Sequence, residues 1–74
     1  METRYHRKFS KIGQKIKEYR KQKNLSQSEL ADKLGISLSY LTKIEAKNCK
    51  KSFSLALLFD IADVLEVDIK EFFE

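Results

Sequence analysis

The 74-residue chain has no proline and no tryptophan, and its only glycines are Gly13 and Gly35. With nothing to break a helix and almost nothing to loosen one, helices are favoured throughout. Cys49 is the single cysteine and His6 the single histidine. That excludes an intramolecular disulfide and a cysteine zinc cluster. It also leaves no Cys–His pair in a recognisable catalytic motif. No apolar run approaches the ~20 residues that span a bilayer. The start, METRYHRKF, lacks the apolar stretch of a signal peptide. Gly-rich phosphate loops and Cys/His metal spacings are missing as well. The chain is therefore expected to be a cytoplasmic, reduced protein with no membrane segment, metal, cofactor or enzyme activity.

What is present is an ordinary globular balance, 42% hydrophobic and 35% charged residues. That length holds one small domain. The net charge of +4 is unevenly spread. Residues 1–24 carry nine Lys/Arg against two acids, residues 25–51 five against three, and residues 52–74 one against six. The basic first third suits a polyanion, although a solvated basic helix face gives the same count.

Residues 27–46, QSELADKLGISLSYLTKIEA, organise the rest. Leu30, Ala31 and Leu34 recur at helical spacing, Gly35 interrupts, and Ile36, Leu41 and Ile44 resume on a new axis. Glycine adopts positive φ at little cost, which a sharp reversal needs. Ala31 is small enough for a second helix to cross close by, and Ser37 can cap that helix. This is the pattern of a helix-turn-helix.

In chain order, residues 1–8 hold Arg4, Arg7 and Lys8 without periodicity and read as a flexible basic arm ahead of a domain at 9–74. Such an arm can lie along phosphates or enter a minor groove, and a disordered start with no role gives the same composition. A first helix is predicted from about 9 or 10 to 23, with Phe9, Ile12, Ile16 and Tyr19 on one face and Asn24 ending it. Ser26 and Glu29 predict a capping box for a second helix ending at Gly35. A third runs from Ser37 to about residue 46, burying Leu41 and Ile44 and showing Leu38, Ser39, Thr42 and Lys43 outward. The stretch KNCKKSF reads as a basic loop in which Cys49 is an exposed thiol. A fourth helix over about 54–65 places Leu55, Leu58, Phe59, Ala62 and Leu65 on one face, with Leu57, Ile61 and Val64 widening the apolar surface. Asp68 and Glu71 predict a second capping box that opens a short fifth helix, Ile69 to Phe73.

The third helix is the right length for a DNA major groove, its first residues nearest the bases. Ser39, Thr42 and Lys43 can hydrogen-bond base edges, and Lys43 can read a guanine. Leu38 either meets a thymine methyl or staples the third helix onto the second. Gln27 can reach a phosphate, and Lys47, Asn48, Lys50 and Lys51 lie where a second phosphate strand would run.

Two motifs match a known family in order: L-S-Q-x-E-L-A-x-x-x-G-I-S from Leu25, and S-L-x-x-L-x-x-I-A-x-x-L-x-V from Ser54. Over about residues 12–73 the chain resembles the lambda-repressor/Cro-like helix-turn-helix regulators, the Xre family. The resemblance implies an all-α, compact five-helix bundle with helix 3 as the recognition helix. It implies a phosphate contact at Gln27, base reading by Leu38, Ser39, Thr42 and Lys43, a phosphate contact at Ser37, and Tyr40 near the DNA backbone. It also implies a buried ion pair between Arg20 and Glu45. Three departures stand out. Asn24 and Glu66 replace glycines common in the family, the 47–53 loop is slightly long, and Phe53 takes a usual proline position.

A sequence-specific regulator of double-stranded DNA is therefore expected. A homodimer would supply the specificity that one recognition helix lacks. Its interface is expected among Val64, Val67, Ile69, Phe72 and Phe73, with Leu57 as a further candidate, and some of this set must belong to the core. The other reading is a helix-turn-helix antitoxin or adapter acting mainly through a protein partner and the acidic, apolar C-terminal part. An RNA-binding domain is a weaker third, since exposed aromatics for base stacking are missing.

Overall fold

Serines open three of the helices. The computed structural model describes residues 4–49 and 52–74. Over these, α1 is His6–Gln22, α2 Gln27–Leu34, α3 Leu38–Ile44 and α4 Leu55–Leu65, followed by a 3-10 helix at Ile69–Phe73. The Ser26 hydroxyl accepts from the Glu29 amide at 3.0 Å, and the Glu29 carboxylate accepts from the Ser26 amide at 2.8 Å, which completes the capping box. Ser37 and Ser54 accept from the Tyr40 and Leu57 amides, each at 3.0 Å.

The fold class is all-helical among the described residues, but the fifth segment is a 3-10 turn rather than a fifth α-helix. Five residues nucleate an α-helix poorly, and the tighter 3-10 form is the one short pieces take. The second capping box does not form. Asp68 caps the Lys70 amide at 3.0 Å. The Glu71 carboxylate instead accepts from the Tyr19 hydroxyl at 3.1 Å.

Three helices end in the same way. The amides of Leu25, Ile36 and Val67 reach back five residues to the carbonyls of Arg20, Ala31 and Ala62, at 3.2, 3.0 and 3.0 Å. The residues just before them, Asn24, Gly35 and Glu66, bond to the carbonyls three residues earlier. These are Schellman turns, which need a left-handed residue. Asn24, Gly35 and Glu66 supply it with φ of 58°, 68° and 57°. The Lys23 ammonium donates to the Glu66 carboxylate at 2.7 Å, tying the end of α1 to the end of α4.

α1 begins at His6, three residues ahead of the expected start. The Phe9 amide already bonds to the Tyr5 carbonyl at 3.1 Å, so residues 6–8 of the expected arm form the first helical turn. Residues 1–3 of that arm lie outside the described residues.

α1 packs on α3, α4 and the 3-10 helix, while α2 packs on α3 and α4. Between them lie Ile12, Ile16, Leu30, Ala31, Leu41, Ile44, Leu58, Ile61, Ala62, Leu65 and Phe72. Three expectations are corrected here. Cys49 is not an exposed thiol but is 4% exposed, because the chain after α3 folds back into the core. Leu55 and Phe59 are not core residues, at 56% and 51% exposure. α4 turns Leu58, Ile61, Ala62 and Leu65 inward, the side its neighbours cover. Phe72 cannot lend its ring to a dimer surface, because it is 2% exposed and packed edge-on against Tyr19, ring centroids 6.0 Å apart. Phe53, at the usual proline position, is buried and meets Phe9 edge-to-face at 4.9 Å. No helix among the described residues is long and apolar enough to cross a membrane.

Candidate nucleic-acid interface

α3 presents its two sides as its periodicity requires. Leu41 and Ile44 are buried, Tyr40 is half-buried, and Leu38, Ser39, Thr42 and Lys43 are exposed. Leu38 keeps 46% of its surface in solvent even though it borders a shallow cavity lined by Ser28, Glu29, Ala31, Asp32 and Ile36. A leucine so placed is free to meet an apolar group such as a thymine methyl. The Thr42 hydroxyl donates to the Ser39 carbonyl at 2.7 Å, so outward it offers an acceptor and a methyl. The Ser37 oxygen accepts from the Tyr40 amide and keeps its own proton for an anion. Lys43 adds the one positive charge of this face, which carries no acid.

The far end of α3 is clasped by α1 and α2. A Cβ on Gly13 would stand 2.0 Å from the Ile44 carbonyl oxygen, so only glycine permits this approach. The Gln14 amide nitrogen donates to the Glu45 carbonyl at 2.9 Å. Arg20 and Glu45, the buried charged residues among those described, form the implied ion pair. Nε of Arg20 lies 2.9 Å from one carboxylate oxygen, and its NH2 nitrogen lies 3.0 Å from the other. The NH1 nitrogen of Arg20 donates to the Leu25 carbonyl at 2.7 Å. The sequence did not signal a third partner: Gln27 Nε2 donates to Glu45 Oε1 at 3.1 Å. Gln27 is half-buried.

Beyond α3, Lys47 and Asn48 are exposed and adjoin the first turn of α1. His6, Arg7 and Ser10 line a cavity of about 540 Å³ with them. The Ser10 hydroxyl donates to the Lys47 carbonyl, which fixes this junction. Arg7 was expected only as part of a loose arm along phosphates and His6 had no expected role; their seat beside Lys47 was not legible because 37 residues separate Ser10 from Lys47. Lys50 and Lys51 lie outside the described residues. Among the described residues, no cluster of His, Cys, Asp or Glu could hold a metal.

A family model described as helix-turn-helix, HTH_3, matches residues 16–72. The chain belongs to the HTH_3 family. Over 58 residues this HTH_3 chain is 47% identical to the HTH-type transcriptional regulator SinR of Bacillus subtilis (strain 168). That match covers 78% of the chain and 51% of SinR, so the chain spans about half the length of the curated relatives it matches. The HTH_3 chain is also similar to a crystal structure of SinR, the master regulator for biofilm formation, in complex with DNA. There the TM-score is 0.77 and the identity 43%, over 85% of this chain and 98% of that one. The restriction-modification controller protein C.AhdI from Aeromonas hydrophila matches 96% of the HTH_3 chain and all of its own, with a TM-score of 0.83 and 30% identity.

Proposed function

We propose that this HTH_3 domain is a sequence-specific, double-stranded DNA-binding transcriptional regulator that acts in the cytoplasm as a homodimer. The observation that carries the reading is the outward side of α3, where Leu38, Ser39, Thr42 and Lys43 stand exposed without an acid among them. The helix enters the major groove, and these four residues read base edges. Gln27, Ser37, Tyr40, Lys47, Asn48, Lys50 and Lys51 hold phosphates on either side. SinR, which is similar to 85% of this chain, has been crystallised with DNA. Dimerisation through the C-terminal surface brings a second α3 to the next half-site. Val64, Val67, Ile69 and Phe73 remain available for that contact, and the exposed Leu55 and Phe59 join them.

Selection of bound sequences from random duplex DNA at near-physiological salt tests the proposal. The expected product is a palindrome with half-sites roughly ten base pairs apart. Lys43→Ala should change the preferred bases. Lys47→Ala should weaken all sequences alike and lower the salt slope by about one. Bulk, salt-sensitive binding without an enriched motif would reject this reading in favour of an adapter or antitoxin.

A further inference from the structure

We propose that Glu45 is a positioning residue for DNA binding. It holds the Gln27 amide so that one nitrogen bridges the buried ion pair and a backbone phosphate. The inference rests on the reading of Gln27 as a phosphate contact.

Glu45 Oε1 accepts from Gln27 Nε2 at 3.1 Å and from the NH2 nitrogen of Arg20 at 3.0 Å. An ionised carboxylate only accepts hydrogen bonds, so Gln27 must turn its nitrogen, not its carbonyl oxygen, toward Glu45. That nitrogen carries two protons. One is held by Glu45, and the other is left for a second acceptor on the half-exposed side of Gln27. A phosphate oxygen is also acceptor-only, and a flipped amide would meet it with a carbonyl oxygen. Two anions on one nitrogen would repel each other if both kept full charge. Arg20, 2.9 Å from the Glu45 carboxylate, offsets the first of them. Glu45 is anchored in turn, because Gln14 on α1 bonds its backbone carbonyl at 2.9 Å. The ion pair bracing α1 against α3 thus also sets the hydrogen-bond polarity of the first residue of α2.

A double-mutant cycle on a selected duplex tests this, with Gln27→Ala, Glu45→Met and the double variant. Gln27→Ala should weaken binding about tenfold in the wild-type background, the scale of one hydrogen bond to a charged group. In the Glu45→Met background, where no oxygen is left to hold the amide, the same substitution should cost less than about twofold. An equal loss in both backgrounds would leave Gln27 as a DNA contact and overturn the role given to Glu45. No loss in the wild type would overturn the contact itself. Should Glu45→Met fail to fold, nuclear magnetic resonance of the wild-type Gln27 side-chain amide decides. In the free protein one Nε2 proton should exchange more slowly than those of exposed glutamines, and DNA should shift mainly its partner proton. Two protons that exchange as fast as in an exposed glutamine would refute the proposal.

Discussion

Gly13 and Gln27 carry more of this molecule's design than their side chains suggest. Replacing a helical glycine by alanine ordinarily stabilises by about 1 kcal/mol. At Gly13 the new methyl would press on the Ile44 carbonyl, and backbone cannot rotate aside as a side chain can. Overpacking of this kind costs about 1–3 kcal/mol even between side chains. Gly13→Ala should therefore show a net loss of up to about 2 kcal/mol in urea denaturation, and a gain would mean that α1 and α3 stand further apart. Single residues were legible in the sequence where a local rule governs them. Gly35 takes its left-handed φ, and Ser37 caps α3, because both depend only on neighbours in the chain. Cys49 was misjudged, and Phe72 could not be singled out as the core member of its set, because burial in a loop or a terminal turn is decided by partners far away in sequence, such as Tyr19 for Phe72.

At the level of elements, the fronts of the helices were readable and their faces only partly so. The Ser26–Glu29 box is a local code, and it formed. Asp68 and Glu71 carry the same code, yet the 3-10 turn leaves Glu71 to Tyr19. The Ser26 amide, then the Ser26 hydroxyl, hold the Glu29 carboxyl below its ordinary value of 4.5. A depressed carboxyl stabilises the fold fully above its unfolded pKa and loses that contribution as pH falls through the folded one. The melting temperature of wild type should therefore exceed that of Glu29→Gln at neutral pH. The gap should narrow as pH drops below 4.5 and close in strong acid. A gap constant with pH would mean that the Glu29 charge does not matter to the cap. α4 explains the partial failure over faces. Its apolar residues nearly encircle it, so periodicity alone could not say that Leu55 and Phe59 point outward.

For the whole molecule, the candidate site is spread over three helices, and only the part on α3 was readable as a contiguous motif. The link from Gln27 to Glu45 and the seat of His6 and Arg7 beside Lys47 arise from packing. The exposed pair on α4 sets a prediction at the same scale. Leu55 and Phe59 lie one helical turn apart, and their replacement by serine should leave folding nearly intact, as surface changes usually do. If the proposed dimer uses this pair, sedimentation at tens of micromolar should give dimer for the wild type and monomer for the double variant. An unchanged association state would place the interface elsewhere. The packing of the 3-10 helix on α1 also has a consequence for synthesis. α1 is made before its partners and keeps Ile12, Ile16 and Tyr19 without their full cover until Phe72 has been made. The nascent chain thus cannot settle half by half as it emerges. α1 stays a sticky, incomplete helix until the 3-10 segment has emerged, and only then does this core close.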